Sequence, residues 1–448
     1  MPNPCLQSAM ICRGTAMNHL KRTLAILSAG AIGLLLITGA EKRSTRTGNT
    51  NLTLSTPESV GFSPDRLKRI EDQMEQYVSS KQLAGGVTML ARHGKVVEFK
   101  TYGVADVSKN TPTAKDSLFR IYSMTKPITG VAMMMLYEEG RWRPEDPVSK
   151  FIPEFAGLKV YKGKDDQGNP VVEAPHHPPT MRELLTHTAG FTYGIFGNTP
   201  VDKMYVQKNV LGSATLKEGI EKLATIPLLY QPGTQWVYSY SVDIQGYIIE
   251  KLTGKPLGDF FKERIFDPLR MKDTAFYVPS EKLSRLVTLY GANAKGELSP
   301  ASFGGDLKAP PTAPSGGGGL VSTAEDYMRF AQMLLNRGQL DGMRLLAPST
   351  VALMSSDHTP KTVVGGTFSP IRPGIGFGYD CAVAYDPLEA GVTLGKGSYW
   401  WSGAAGTWFW IDPANDLVFI GMIQRLSTPE PERMAKIALY QALVEPEK

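Results

Sequence analysis

The stretch FRIYSMTKPITGVAMMMLYEEG, residues 119–140, sets a serine and a lysine three positions apart, Ser123 and Lys126, ahead of a long apolar run. Residues three apart on a helix share a face. The pair therefore meets at the first turn of the helix this segment predicts, which ends at Gly140. A serine hydroxyl is a poor nucleophile until a base removes its proton. A lysine amine serves as that base when burial or a nearby cation makes it less willing to stay protonated. The positive end of a helix also favours the alkoxide that develops at the serine. The apolar run from Val131 to Leu136 would anchor the turn in a core and fix its geometry. The chemistry implied is nucleophilic catalysis by the serine hydroxyl. Chance gives about two S-x-x-K matches in a chain of this length at ordinary residue frequencies. Here there is one, and its position at a strand-to-helix entry is what singles it out.

Other chemistry-bearing residues read differently. Cys/His metal spacings are absent, and His176-His177 in the Pro-rich APHHPPT fits a solvated or capping loop better than a ligand pair. PSGGGG, ending at Gly319, lacks the Gly-Lys-Ser/Thr that completes a phosphate loop, so a flexible rim loop near a pocket is expected. His187 in LLTHTAGF raises the alternative of a Ser-His pair. No G-x-S-x-G occurs, which argues against a nucleophile elbow.

The elements that must position the pair follow from patterning. A helix starts at Ser63-Pro64, with Leu67, Ile70, Met74 and Tyr77 on one stripe. GGVTMLARHGKVVEFKTYG predicts a hairpin turning at His93-Gly94. Thr180 and Glu183 form a capping box. SVDIQGYIIEKLTGKPLGDFFKERIF reads as two short amphipathic helices broken around Gly254. A further helix is capped at Ser322 or Thr323, with Asp326 in its first turn. GTWFWIDPANDLVFIGMIQ predicts a hairpin turning between Asp412 and Asp416, and a last helix runs from about Pro431 to Val444. No internal repeat is visible. Strands fall early and late, and helices fill the middle. That order predicts a sheet built from both ends of the chain, with an inserted helical lobe and a pocket at the seam.

Composition is ordinary for a soluble globular protein. The 448 residues, 42% hydrophobic and 20% charged, suffice for two lobes. The net charge of +5 owes three units to Arg13, Lys21 and Arg22 in an acid-free leader, leaving 45 basic against 43 acidic residues, so no nucleic-acid partner is implied. From Met17, MNHLKRTLAILSAGAIGLLLITGA has a basic pair, an apolar stretch and the small residues Thr38-Gly39-Ala40. Residues 1–40 read as a signal peptide, with Met17 as the true start, and imply a periplasmic or secreted protein. The rival reading is a retained anchor, since residues 23–40 approach the minimum span of about 17 residues. It would be the only membrane contact. Cys5 and Cys12 precede this cut, so Cys381 has no disulfide partner and is expected to be a small buried apolar residue.

The phrases LFRIYSMTKPITGVAMMMLYEEG, EDPVSKFIPEF, TMRELLTHTAGF and PGTQWVYSYSVDIQGYIIEKLTG resemble class C β-lactamase-related proteins, and within them the family VIII carboxylesterases. The resemblance covers most of residues 57–444. It implies three motifs: S-x-x-K, a tyrosine-led triplet, and a K-T-G-like triplet on a strand. It makes Tyr238 the tyrosine, a proton shuttle beside Ser123 and Lys126. Tyr240 stands where the β-lactamases have asparagine, and the segment before Gly246 is one residue shorter; both departures resemble the esterase branch. The third triplet becomes Trp401-Ser402-Gly403, where the esterases commonly show W-G-G. A lysine there would hold a substrate carboxylate. A tryptophan offers only an indole N–H, so an anionic substrate would lose about 1.5–3 kcal/mol and a neutral ester nothing. The resemblance further implies an oxyanion hole from the backbone N–H groups of Ser123 and Ala404, and a structural role for His187 instead of a Ser-His pair.

These readings together predict an α/β, β-lactamase/penicillin-binding-protein-like fold: an antiparallel sheet flanked by helices, with an inserted, mostly helical lobe. The expected divisions are a 41–55 linker, an α/β lobe from 56–125 and 321–448, and a helical lobe at 126–320. The expected activity is carboxylesterase-type serine hydrolysis of a small-molecule ester through an acyl-enzyme on Ser123, with no metal or cofactor. The rivals are a β-lactamase or D-amino-acid peptidase, and a catalytically silent cell-wall-binding relative.

Overall fold

The computed structural model describes residues 52–366, 368–426 and 431–445. The expected export segment, Cys5 and Cys12, and all of the expected linker before residue 52 lie outside the described residues. Among the described residues, no helix is long and apolar enough to cross a membrane.

Helix α1, Pro64–Ser79, begins as its Ser63-Pro64 start predicts and buries Leu67, Ile70 and Met74. The predicted hairpin is strands β2 (Gly85–Arg92) and β3 (Lys95–Asp106), which follow a two-residue edge strand β1, Thr53–Leu54. His93 and Gly94 turn the hairpin with φ of 55° and 70°, the positive values this turn requires. Five more strands come from the C-terminal part: β4 (Ile375–Phe377), β5 (Ala382–Ala384), β6 (Ser398–Ser402), β7 (Trp408–Asp412) and β8 (Leu417–Ile423). The sheet order is β1-β3-β2-β8-β7-β6-β5-β4, with Thr111–Pro112 pairing additionally on β3. Both ends of the chain thus build one sheet. It is antiparallel except at its edge, where β1 runs parallel to β3. The end of the expected linker is therefore a strand, tied by Ser55 N–H to the Val96 carbonyl at 2.9 Å.

Both sheet faces are covered, which explains why LVFIGMI of β8 is buried throughout. Side chains alternate along a strand. Val418, Ile420 and Met422 face one cluster; Leu417, Phe419 and Ile423 face the other, shared with α1 and the last helix. The middle of the chain supplies helix α2 (Thr125–Glu138), helix α3 (Ser241–Thr253) and several shorter helices. Gly254 caps α3 in the left-handed conformation at φ 70°, where the break was expected. Helix α4, Ala324–Leu335, is capped by the Thr323 hydroxyl, which accepts from the Asp326 N–H. The last helix, α5, spans Pro431–Ala442. The two expected lobes share one hydrophobic cluster, which joins Val87 and Ile420 of the sheet to Leu185 and Ile248 of the helices.

Candidate active site

Helix α2 is mostly apolar and is buried from Thr125 to Leu136, Lys126 and Thr129 included, as a helix without a solvent-facing polar stripe must be. Its rigid start carries the site. Ser123 sits on a single 3₁₀ turn, Tyr122–Met124, that feeds directly into α2. Tyr122 holds a φ of 42°, a costly value for an aromatic residue. Its hydroxyl donates to the Phe303 carbonyl at 2.9 Å, and its ring packs on Phe303 at 5.5 Å. Backbone strain is thus stored next to Ser123.

Lys126 is fully buried, and its ammonium donates to three oxygens. The Gly317 carbonyl accepts at 2.7 Å, the Tyr193 hydroxyl at 3.1 Å and Ser123 Oγ at 3.2 Å. A buried cation needs such partners, because leaving it unpaired is prohibitive. Tyr238 follows the short strand Gln235–Trp236 and leads into α3. Its hydroxyl donates to Ser123 Oγ at 2.6 Å, and Lys126 Nζ lies 4.5 Å from its ring centre. Trp236 stacks on the Tyr238 ring with planes 7° apart, and His187 and Tyr193 pack on it at 5.2 and 5.3 Å. The three expected groups therefore converge on one oxygen, Ser123 Oγ.

The third triplet divides between two faces. Trp401 points inward from β6, and its indole N–H donates to the Tyr238 hydroxyl at 3.3 Å. Ser402 alternates outward. Its hydroxyl donates to Glu432 of α5 at 2.7 Å, so it stands away from Ser123 Oγ. Gly403 sits against the backbone before the nucleophile: a Cβ there would overlap the Ile121 carbonyl oxygen. The Thr407 hydroxyl donates to that same carbonyl at 3.2 Å. The strand end is thereby tied two residues from Ser123, and Ala404 follows it at the exposed tip.

Residues set aside in the sequence are accounted for. His187 Nδ1 pairs with Ser239 Oγ at 2.8 Å, not with Ser123. Burial, and then the charge on Lys126, holds this imidazole well below its ordinary range, so it stays neutral. His177 is exposed beside Glu183. No group of metal-ligating side chains occurs among the described residues. Cys381 is buried, as expected. Tyr240 is buried with its ring edge-on to Tyr193 at 6.3 Å. PSGGGG is not a flexible rim: Gly316 and Gly317 are buried, and their carbonyls accept from Thr129 and Lys126. The flexible reading fails because these carbonyls satisfy donors on α2. Tyr193 was missed altogether. Burial, and then the Asp243 charge, pushes its phenol well above its ordinary range. Its one sequence signal was its place in the HTAGFTYG phrase, next to residues already singled out.

The Beta-lactamase family matches residues 69–443. Protein Rv1367c of Mycobacterium tuberculosis is 35% identical over 365 residues, covering 80% of this chain and 89% of that one. Esterase EstB of Burkholderia gladioli is 28% identical, covering 81% and 92%. The solved structure of EstCE1, described as a hydrolase with promiscuous acyltransferase activity, superposes with a TM-score of 0.69 at 26% identity, covering 84% of this chain and 99% of that one. With the serine, lysine and tyrosine drawn together at the start of a buried helix beside the β6 strand, the chain belongs to the β-lactamase family.

Proposed function

We propose that the protein is a serine hydrolase of carboxylic esters. The observation that carries the reading is the convergence of Lys126 Nζ and the Tyr238 hydroxyl on Ser123 Oγ, at 3.2 and 2.6 Å. Ser123 attacks the ester carbonyl. The Lys126–Tyr238 pair reacts as ammonium beside phenolate: the phenolate takes the Ser123 proton as Oγ bonds to the carbonyl carbon, and returns it to the leaving alcohol, a role typically worth 10²–10⁴-fold in rate. The oxyanion formed in this step is taken by the backbone N–H groups of Ser123 and Ala404, each such donor being worth about 3–4 kcal/mol. Water then attacks the acyl-enzyme, with the same pair as base. Trp401 favours neutral esters over anionic lactams and peptides, since its indole N–H is already directed to Tyr238 and adds no cation for a substrate carboxylate. EstB and lovastatin esterase, both named as esterases, support this choice.

The test compares a short-chain nitrophenyl ester with a chromogenic cephalosporin. The ester is expected to turn over faster, and Ser123→Ala to abolish the reaction. Faster cephalosporin turnover would favour a β-lactamase, and wild-type ester turnover by Ser123→Ala would remove the proposal.

A second reading is acyl transfer to an alcohol. The aromatic enclosure of Tyr238 by Trp236, Tyr193 and Trp401 favours it by limiting water around the acyl-enzyme. Adding a primary alcohol to the ester assay should then yield the transesterified product.

A further inference from the structure

The glycine-rich loop that follows Pro314 has no part in the chemistry above, yet it reaches the catalytic lysine. Its Gly317 carbonyl is the shortest contact of Lys126 Nζ, at 2.7 Å. Something must hold that carbonyl, because a loop of four glycines has little conformational stiffness of its own. The holder is Asp243, on the first turn of α3 and 1% exposed. Asp243 Oδ1 accepts from the Ser315 hydroxyl at 2.5 Å and from the Gly317 N–H at 3.3 Å. Its Oδ2 receives the Tyr193 hydroxyl at a long 3.5 Å. One carboxylate therefore grips the loop at residues 315 and 317 and also faces the second oxygen partner of Lys126.

We propose that Asp243 is a positioning residue for Lys126, acting through Ser315 and the peptide of Gly317 to aim the ammonium at Ser123 Oγ. This rests on the reading of Ser123 and Lys126 as catalytic groups. The glycines follow from it. A Cβ on Gly317 would come within 2.6 Å of Asp243 Oδ2 and 2.7 Å of the Tyr193 hydroxyl, and one on Gly316 within 2.7 Å of the Val242 carbonyl. Only residues without side chains let the loop lie this close to α3. Thr129, one turn along α2 from Lys126, closes the cradle by donating to the Gly316 carbonyl at 2.7 Å. Burial pushes the Asp243 carboxyl up, while the Ser315 hydrogen bond and then the charge on Lys126 pull it down.

The test uses Ser315→Ala, Ser315→Thr and Asp243→Asn in the full-length protein, each checked for a cooperative melt, with a short-chain nitrophenyl ester as substrate. Misaiming a catalytic group by an ångström costs on the order of a hundredfold. Ser315→Ala should therefore lower kcat about ten- to a hundredfold with KM little changed, and should slow fluorophosphonate labelling of Ser123 in parallel. Ser315→Thr keeps the hydroxyl and should recover most of the rate. Asp243→Asn should behave like Ser315→Ala; if it does not fold, the Ser315 pair decides alone. Wild-type kcat in folded Ser315→Ala, a loss confined to KM, or a threonine variant no better than alanine would overturn the proposal. Full ester hydrolysis by Ser123→Ala is a separate result, and it would instead remove the catalytic reading beneath it.

Discussion

Tyr238 donates to Ser123 Oγ at 2.6 Å and receives the Trp401 indole N–H at 3.3 Å, so its hydroxyl joins the nucleophile to the third triplet. Tyr238→Phe keeps the ring packing and removes that oxygen. It is expected to lower kcat by about 10²–10⁴-fold, the usual worth of a positioned proton-transfer group. Trp401→Phe removes one neutral hydrogen bond, typically worth about 0.5–1.5 kcal/mol. It should reduce kcat/KM about two- to tenfold, and a steady-state ester assay measures both. Ser123 and Lys126 were legible in the sequence because their contact is local, three residues along one turn. Tyr238 lies 115 residues from Ser123, and only the resemblance pointed to it. Tyr193 and Gly317 lie 67 and 191 residues from Lys126. A carbonyl oxygen carries no side-chain signature, so Gly317 could not be read from residue types.

At the scale of elements, the close approach of β6 to the nucleophile turn depends on Gly403. A Cβ there would overlap the Ile121 carbonyl and the Thr407 hydroxyl. Gly403→Ala is expected to destabilise the protein by about 1–3 kcal/mol and to lower kcat/KM, because the strand must retreat from the segment that carries Ser123. Thermal melts and the ester assay check the two effects. Thr323→Ala removes the hydroxyl that caps α4 and should cost about 1 kcal/mol without changing kcat. Helices with clear start signals, such as Pro64 for α1 and the Thr323 cap for α4, and hairpins with tight turns, such as β2–β3, were readable because short-range chemistry specifies them. The β1 edge strand was not. Its two residues carry no periodicity, and its pairing with Lys95 and Val96 is a tertiary fact.

For the whole molecule, the order of strands at both ends and helices between was legible and matches the sheet built from both ends. One hydrophobic cluster runs through both of the expected lobes. The opposite face of the sheet buries an ionisable group. Burial pushes the Glu98 carboxyl on β3 up to about 7, although the Thr88 hydroxyl at 2.7 Å pulls it down. The folded protein keeps a proton that the unfolded chain releases near its ordinary value of 4.5. Stability from this site is therefore complete below that value and is lost as pH rises through about 7. Glu98→Gln removes the loss, so its Tm should exceed the wild-type value at pH 8, by up to about 3 kcal/mol of stability, and match it near the unfolded value. The central claim, that Ser123 is the nucleophile, is tested most directly by fluorophosphonate labelling followed by intact mass and peptide mapping. One adduct on the peptide carrying Ser123, absent from Ser123→Ala, is the predicted result. A folded protein that takes up no label, or an adduct on another residue that persists in Ser123→Ala, would contradict it.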